Sequence, residues 1–194
     1  MALDGVHVRL EPLSLSHLAA LTEIGLDPDL WRWTTQLVRS PQDMEEYVKG
    51  ALAEQLRGVA LPFATVHKGA GQGGRERVVG STRFGAIEPA HRKVEIGWTW
   101  IGSYWQRSVV NTEAKYLMLR HAFETWDCVR VAFKTDRLNE RSREALARIG
   151  AREEGILRSH LITATGRVRD SVYFSIIAEE WPAVKAELEE KLRG

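Results

Sequence analysis

The stretch from Val94 to Thr135 constrains the fold more than any other part of the sequence. Its first part, Val94 to Trp100, alternates apolar and polar or small residues as a half-buried β-strand does. A polar loop then leads into a strongly periodic helix, Asn111 to Trp126, and a short strand, Arg130 to Thr135, follows. A strand–helix–strand unit within one sheet has parallel strands joined by a right-handed connection, so the stretch predicts this arrangement.

The rest of the sequence supplies strands and helices on both sides of this unit. Apolar residues recur at alternate positions in the predicted strands and at helical spacing in the predicted helices. Further strands are predicted at residues 6–11, 62–67, 78–87, 154–163 and 168–177, and further helices at residues 14–27, 40–56, 139–149 and 181–192. This order predicts an α/β fold with a mixed, mostly antiparallel central sheet flanked by helices, and residues 1–194 are interpreted as a single domain.

A glycine-rich segment, Gly69 to Arg75, separates two of these strands. It lacks the Lys-Ser/Thr ending and the following helix that a phosphate-binding P-loop requires. We therefore predict that it forms the flexible tip of a β-hairpin.

The loop from Trp105 to Glu113 has the properties of an anion-binding site. The first N–H groups of a helix have no partner within the helix, and the helix dipole places positive charge there. Side chains that can donate hydrogen bonds surround this position: Gln106, Arg107, Ser108, Asn111 and Thr112. A phosphorylated cofactor is therefore predicted at this loop.

Composition narrows the range of partners. Lys and Arg number 27 and Asp and Glu number 26, so the net charge of +1 shows no bias toward nucleic acid or an acidic membrane. The single cysteine, Cys128, is predicted to be a buried thiol, and without a Cys/His cluster no metal site is expected. Since no apolar run has the length of a signal region or a membrane span, we expect a cytoplasmic protein without a membrane partner or a direct nucleic-acid partner.

The loop also carries a resemblance to a known family, the GNAT (Gcn5-related) N-acetyltransferases, and especially to their RimJ/RimL-like branch. The acyl-CoA loop of that family reads Gln/Arg-x-x-Gly-x-Gly/Ala, and it aligns here as Gln106-x-x-Val109-x-Asn111, with both glycines replaced. Further segments resemble the branch in the same order along nearly the whole chain: Val94-Glu95-Ile96-Gly97-Trp98, Asn111-Thr112-Glu113-Ala114-Lys115, Lys134-Thr135-Asp136-x-x-Asn139-x-x-Ser142-Arg143, Gly150-Ala151-Arg152-x-Glu154-Gly155 and Arg169-Asp170-Ser171-x-x-Phe174-Ser175. Their joint order and spacing make the resemblance specific.

This resemblance implies a GNAT-like sheet that splays apart after its fourth strand, Val94 to Trp100, with the pantetheine arm of acetyl-CoA in the gap. Acetyl-CoA is thus the expected co-substrate. A backbone N–H near residues 98–100 is expected to stabilise the oxyanion. The residues expected to bind the cofactor are Trp98, Thr99, Trp100, Gln106, Arg107, Ser108, Val109, Val110, Asn111, Thr112 and Asn139.

The resemblance also implies a reaction, the direct transfer of an acetyl group from acetyl-CoA to a primary amine within a ternary complex. The acceptor is expected to be a protein N-terminal amine, such as that of a ribosomal protein, or a small amine. Trp31, Trp33 and Thr34 follow the first helix and correspond to the wall of the acceptor pocket. Aromatic rings at this place can hold an aliphatic or peptide amine.

Glu95 is the candidate general base, acting through water. An acidic side chain within an apolar strand is costly unless it is paired or functional. Two alternatives remain open, because strand alternation could leave Glu95 exposed or it could form a salt bridge with Arg92 or Arg83. Lesser candidates for the base are His91, Asp170 and His160.

Ser142 is the candidate acid for the leaving thiolate. By spacing alone, Asn139-x-x-Ser142 at a helix start is typical of an N-cap. The resemblance implies instead that Asn139 contacts the pantetheine region and that Ser142 lies near the cofactor sulfur. Ser142 would then protonate the thiolate or position a water, and direct protonation by the incoming ammonium is the alternative.

Two functions of different classes remain open. The first is an acyl-CoA-dependent N-acetyltransferase. The second is a non-catalytic CoA-binding or sensor domain, motivated by the loss of the loop glycines at Val109 and Asn111. A terminal helix and a β-hairpin often support dimers, so a homodimer is a further hypothesis.

Overall fold

The fold places one β-sheet between two groups of helices. The computed structural model describes residues 1–69 and 74–193, and within these ranges it has eight strands and five α-helices. The strands are β1 (Leu3–Asp4), β2 (Val8–Pro12), β3 (Leu61–His67), β4 (Arg77–Glu88), β5 (Lys93–Ile101), β6 (Arg130–Asp136), β7 (Arg152–Ile162) and β8 (Val168–Ile177). The helices are α1 (Leu18–Gly25), α2 (Pro41–Leu56), α3 (Val109–Glu124), α4 (Glu140–Arg148) and α5 (Trp181–Arg193).

The strands form a single sheet in the order β1-β2-β3-β4-β5-β6-β8-β7. Among the described strands only β5 and β6 pair in parallel, with Val94 beside Val131. Because α3 connects these two strands, their predicted parallel pairing and the mixed, mostly antiparallel sheet are confirmed. The C-terminal hairpin inserts β8 between β6 and β7, which leaves β7 at the edge.

The two faces of the sheet carry separate hydrophobic cores. Along β3, Phe63 belongs to the larger core together with Met118 of α3, whereas the next residue, Ala64, belongs to a second core with Tyr47 of α2. Successive residues of a strand point to opposite faces. One face is therefore covered by α3, with α5 packed against it, and the other by α1 and α2. These are called the α3 face and the α2 face below.

The N-terminal strand differs from its prediction at both ends. β2 begins at Val8 because the backbone N–H groups of residues 6–8 all donate to the carboxylate of Glu113, at 2.8, 2.8 and 2.6 Å. Pro12 is the last residue of β2 and pairs with Phe63, rather than following the strand. β1 was not predicted, because its two residues are too few for a periodic pattern.

The helix α3 begins at Val109, two residues before the predicted start. Ser108 is its N-cap, and Ser108 Oγ accepts the N–H of Val110 at 3.3 Å. Its last residue is Glu124, two residues before the predicted end. Among the helices of the described part of the chain, none combines the length and the apolar character needed to cross a bilayer.

Several local predictions are confirmed. Ser40 caps α2, with its Oγ accepting the N–H of Asp43 at 3.2 Å. Ile149 is the C-cap of α4, and Gly150 follows it at the predicted C′ position, with a φ of +87° that favours glycine. Cys128 is buried. The core of the predicted flexible hairpin tip, residues 70–73, lies outside the described residues.

Candidate active site

The loop between β5 and α3 is braced by its own side chains. The amide of Gln106 spans the loop, since its Nε2 donates to the carbonyl of Ile101 at 2.9 Å and its Oε1 accepts from Arg141 at 2.8 Å. Arg107 has a φ of +60°, which turns the backbone into α3. Gln106 thus holds the loop, and the donors left for a ligand are backbone N–H groups and the remaining side chains.

The start of α3 has the features of the predicted anion site. The helix has 16 residues, and the N–H groups of its first turn carry the positive end of the helix dipole. Neither Val109 nor Asn111 has a positive φ, so replacing the family glycines strains no backbone at these positions. Asn111 Oδ1 is buried and has no hydrogen-bond partner among the described residues. Such an unpaired acceptor fits a ligand that donates an N–H group.

The sheet splays apart between β5 and β6. These strands pair at three positions, where Lys93 to Glu95 lie beside Arg130 to Ala132. β6 continues to pair with β8 as far as Asp136, whereas no pairing joins β5 beyond Glu95 to β6 within the described residues. The gap predicted after this strand is therefore confirmed, and it opens on the side of the α3 loop.

A β-bulge lies on the β5 side of the gap. The register of β4 against β5 shifts at residues 98–99, so that Thr82 lies opposite both of them. Trp98 has a φ of +48°, which is unusual for a residue with a large side chain. Its indole lies over Gly85, where any Cβ atom would overlap the ring. The bulge therefore redirects the backbone at the place where an oxyanion donor is expected.

Glu95 is buried on the α2 face and forms an ion pair. Glu95 is only 7% exposed, and its Oε2 lies 3.0 Å from Nζ of Lys134. Strand register explains this partner. Ala132 of β6 lies beside Glu95, and Lys134 follows two residues later on the same face.

Neither of the arginines considered as partners pairs with Glu95. Arg83 pairs with Glu54 of α2 at 2.8 Å, and Arg92 pairs with Asp127 at 2.6 Å. Both alternatives for Glu95, simple exposure and a bridge to one of these arginines, are therefore wrong. The guanidinium of Arg83 instead lies 5.2 Å from the ring of Trp98, on the α2 face.

The lesser candidates for the base lie in different surroundings. His160 packs on Tyr173, with 5.7 Å between ring centroids, and its Nδ1 is buried without a partner among the described residues. Burial lowers the pKa of His160, and the charges of Lys134 and Arg169 lower it further. Asp170 accepts the N–H of Ser159 at 2.8 Å. His91 is exposed in the turn between β4 and β5.

Asn139 and Ser142 form the N-cap that their spacing predicts. Asn139 Oδ1 accepts the backbone N–H of Ser142 at 3.1 Å, at the start of α4. The helix α4 follows directly on β6, which is the strand on the far side of the gap. The cap uses the backbone of Ser142 and not its hydroxyl, so the chemical role of that hydroxyl stays a prediction.

Two of the three predicted acceptor residues line one cavity of about 300 Å³. Trp31 is buried, its Nε1 donates to the carbonyl of Gly25 at 2.7 Å, and its ring lies 5.5 Å from that of Trp100 on β5. Thr34 lies beside it on the cavity wall. The facing wall comes from the β7–β8 hairpin at residues 163–165.

Trp33 lies outside this cavity wall and ties the α1–α2 connection to the hairpin. Its carbonyl accepts from Arg169 Nη1 at 3.1 Å, and the guanidinium of Arg167 lies 5.5 Å from its ring. Both arginines also contact the buried carboxylate of Asp136. Trp33 is thus placed by contacts within the protein, next to the predicted pocket.

The sequence interpretation missed two lysines. Lys134 was part of the motif that carries the resemblance, but its pairing with Glu95 depends on strand register. Lys115 is buried in α3, and its Nζ lies 2.6 Å from Thr99 Oγ1. A charged residue in the apolar stripe of a helix was the available signal, since lysine is almost never fully buried without a reason.

Comparison with known proteins agrees with this geometry. The family model described as the acetyltransferase (GNAT) domain matches residues 7–152. YdaF of Bacillus subtilis (strain 168), an inferred ribosomal N-acetyltransferase, is 35% identical over 99 residues, which cover 51% of this chain and 53% of that protein. The chain thus matches about half the length of this curated relative.

Solved structures share the fold along most of the chain. An inferred acetyltransferase from T. thermophilus has 39% sequence identity and a TM-score of 0.87, over 98% of this chain and 96% of that one. Mycobacterium smegmatis RimJ, solved in complex with CoA-disulfide, has 28% identity and a TM-score of 0.78, over 98% of this chain and 91% of that one. The predicted RimJ/RimL-like branch and the acetyltransferase class are confirmed at the level of the domain. Since the family model covers well over half of the chain and the sheet has the expected gap, this protein belongs to the GNAT acetyltransferase family.

Proposed function

We propose that this protein transfers an acetyl group from acetyl-CoA directly to a primary amine in a ternary complex. The observation that carries the proposal is the three-residue pairing of β5 with β6. It leaves a gap with the start of α3, the proposed anion site, at one end and the buried Glu95–Lys134 pair at its inner end. A thioester cofactor and an amine can meet there from opposite sides of the sheet.

The residues around the gap fit acetyl-CoA, which supplies the activated acetyl group. The backbone N–H groups from Arg107 to Thr112 would hold the diphosphate, with the helix dipole adding attraction for its negative charge. The unpaired Oδ1 of Asn111 fits an amide N–H of the pantetheine arm. The backbone at residues 98–100 and the side chain of Asn139 would complete the cofactor site.

Glu95 is proposed as the general base. Protein amines are mostly protonated at neutral pH, so a proton has to leave before the nitrogen can attack. Lys134 holds Oε2 of Glu95 at 3.0 Å, which leaves Oε1 to accept the proton through a water.

The remaining steps are assigned to the backbone of β5 and to Ser142. A backbone N–H at residues 98–100 would stabilise negative charge on the carbonyl oxygen of the acyl group. The hydroxyl of Ser142, at the start of α4 beside the gap, would protonate the departing thiolate or position a water for this purpose.

The acceptor is proposed to be a protein N-terminal amine, such as that of a ribosomal protein, or a small amine. The description of YdaF as a ribosomal N-acetyltransferase supports an acceptor on a ribosomal protein. The cavity between Trp31, Thr34 and the β7–β8 hairpin is large enough for a few side-chain or backbone groups of an acceptor, and Trp33 adjoins it. A cytoplasmic location and a homodimer are parts of the same proposal.

Two measurements test this function together. Calorimetry with CoA reports cofactor binding, and thiol release from acetyl-CoA reports transfer over a panel of N-terminal peptides from ribosomal proteins and small amines. We expect CoA binding together with turnover of at least one class of amine. Binding without turnover of any amine would support a sensor domain instead.

A further inference from the structure

A buried polar chain lies beneath the β5 bulge and begins at Lys115. This residue is 5% exposed, and its Nζ lies 2.6 Å from Thr99 Oγ1 and 3.5 Å from Thr82 Oγ1. No carboxylate lies within ion-pair distance of its Nζ among the described residues. A buried amine without a counter-charge costs stability, which suggests a role other than holding the fold.

The chain continues through the two threonines to one backbone carbonyl. The hydroxyls of Thr99 and Thr82 lie 2.7 Å apart. Each hydroxyl has one hydrogen, so when Thr99 donates to Thr82, Thr82 donates to the carbonyl of Gly97, which lies 3.5 Å from Thr82 Oγ1 and 3.3 Å from Thr99 Oγ1. Lys115 is thus linked to the carbonyl of Gly97 through two hydroxyl groups.

The carbonyl of Gly97 and the N–H of Trp98 belong to one planar trans peptide unit, so they point in opposite directions. The carbonyl faces the threonine hydroxyls. The N–H of Trp98 is therefore directed away from these hydroxyls. The φ of +48° at Trp98 needs support from its surroundings, and this chain supplies it.

We propose that Lys115 is a positioning residue that, through Thr99 and Thr82, orients and polarises the Gly97–Trp98 peptide unit. Hydrogen bonds in a chain polarise one another, so a donor at one end strengthens the N–H at the other. The Trp98 N–H is thereby prepared as the donor to the acyl carbonyl oxygen. The catalytic part rests on the proposed function, whereas the polarisation of the peptide does not.

The ionisation of Lys115 offers a means to observe this chain. Burial lowers the pKa of Lys115 to about 7, and no charged group contributes to the change. Its contacts on β4 and β5 are the hydroxyls of Thr82 and Thr99, while the neighbouring charges Arg83 and Glu95 lie on the α2 face. The nearest acid of its own helix, Glu113, binds the backbone of residues 6–8.

Nuclear magnetic resonance can follow this one peptide unit without any assay of activity. Gly97-Trp98 is the single Gly-Trp pair in the sequence, so carbonyl-¹³C glycine with ¹⁵N tryptophan labels one carbonyl–amide correlation. In the wild type we expect this signal to move between about pH 6 and about pH 8.5, with its midpoint near 7. In Lys115→Met the movement should be absent, and in the matched surface variant Lys49→Met it should remain.

The outcome of this titration decides the first half of the proposal. A wild-type signal that does not move over this range, or a Lys115→Met signal that titrates like the wild type, would overturn it. If no amine is ever acetylated, the proposed function fails, but the labelled peptide still reports on Lys115.

Kinetics test the second half through a double-mutant cycle. Lys115→Met and Thr99→Val should each lower kcat about tenfold or more, with the KM for acetyl-CoA changed less than about threefold, because the donor acts mainly in the transition state. The double variant should be about as active as the less active single variant, since both changes break the same chain of hydrogen bonds. Thr99→Ser keeps the hydroxyl and should keep most of the activity.

Two results would contradict this catalytic role. Losses that multiply in the double variant would mean that Lys115 does not act through Thr99. A raised KM with unchanged kcat would place Lys115 in cofactor binding instead. If Lys115→Met does not fold, the comparison of Thr99→Val with Thr99→Ser tests the same chain.

Discussion

The carboxylate of Glu95 on β5 lies 3.0 Å from the ammonium of Lys134 on β6, with Glu95 at the last paired position of these strands and Lys134 two residues beyond its partner Ala132. Glu95 is almost fully buried, while a quarter of the Lys134 side chain is exposed. The buried charge is thus compensated, and it stands at the inner end of the gap. A base at this point can serve an amine that approaches from the α2 face.

Glu95→Gln should lower kcat/KM most at neutral pH. The amine acceptor then depends on the base to lose its proton, whereas at higher pH it deprotonates unaided. The deficit in kcat/KM should therefore shrink as the pH rises, and the variant should reach nearly the wild-type kcat/KM at about pH 9.5. Thiol-release rates from about pH 6.5 to about pH 9.5 measure this profile.

The matched control is Glu88→Gln, which removes a surface ion pair with Lys93. It should leave the profile unchanged, because exposed pairs contribute little. A Glu95→Gln deficit that stays constant over the whole pH range would make Glu95 a structural partner of Lys134.

Asn111→Glu should weaken CoA binding severely, by about tenfold or more. The new carboxylate lies in the first turn of α3, where it repels the cofactor phosphates and competes for the same N–H groups. Isothermal calorimetry with CoA measures the change. Gln42→Glu places the same charge in the first turn of α2 and should leave the affinity as it is. Unchanged affinity for Asn111→Glu would move the cofactor site elsewhere.

Ser142→Ala should lower kcat more than it raises the KM for acetyl-CoA, because an acid acts mainly in the transition state. The cap of α4 should survive, since it uses the backbone N–H of Ser142. Asn139→Ala removes the cap acceptor and should cost about 1 kcal/mol of unfolding free energy. Steady-state kinetics and urea unfolding of both variants separate the two effects. If Ser142→Ala changes stability alone, Ser142 has no catalytic role and serves only as a residue of the first turn of α4.

Lys115→Met should raise the melting temperature, and the gain should depend on pH. In the unfolded chain this amine has a pKa of 10.5, and in the folded protein burial lowers the pKa to about 7. Between these values the unfolded chain binds more protons, so wild-type stability rises with pH through this window. The buried charge of Lys115 therefore destabilises the folded protein fully below about pH 7 and not at all above about pH 10.5.

The difference in melting temperature between Lys115→Met and the wild type should thus be largest near pH 6 and shrink toward pH 10. Thermal unfolding followed by circular dichroism measures it. Lys49→Met, an exposed lysine on α2, should show no such trend. A gain that is the same at every pH would mean that Lys115 is not desolvated in the folded protein.

Glu113→Gln should destabilise the fold by about 1–3 kcal/mol. The carboxylate accepts three backbone N–H groups from residues 6–8, and an amide offers one oxygen and turns an NH₂ group toward the same donors. Urea unfolding measures the loss. Glu46→Gln, on the exposed side of α2, should change the unfolding free energy by less than about 0.5 kcal/mol. Equal effects of both changes would remove Glu113 as the anchor of the N-terminal strand.

Much of the architecture could be predicted from patterns between near neighbours in the chain. The period of α3, the cap at Ser40 and the turn at Gly150 are all readable within a few residues. The start of α3 was placed two residues late because both Ser108 and Asn111 are good caps, and only the folded loop distinguishes them. β1 was not predicted, because a strand of two residues is too short to show a periodic pattern.

The candidate site was predictable in position but not in its contacts. The loop before α3 and Glu95 were expected from the sequence, and the gap beside them is confirmed. Lys134 was not predicted as the partner of Glu95, since it lies 39 residues away. Trp33 was assigned to the pocket, yet Arg167 and Arg169 hold it beside the cavity.

The sequence by itself determined the order of strands and helices, the loop that precedes α3 and the family, because these depend on residues close together in the chain. Only the tertiary structure decided which side chains meet across the sheet: Glu95 with Lys134, Lys115 with Thr99, and Glu113 with residues 6–8. Strand register sets the first contact and the β5 bulge shapes the second, and a shift of one residue would turn each strand side chain to the other face. No local pattern encodes that register, so the chemistry of the site depends on the completed fold.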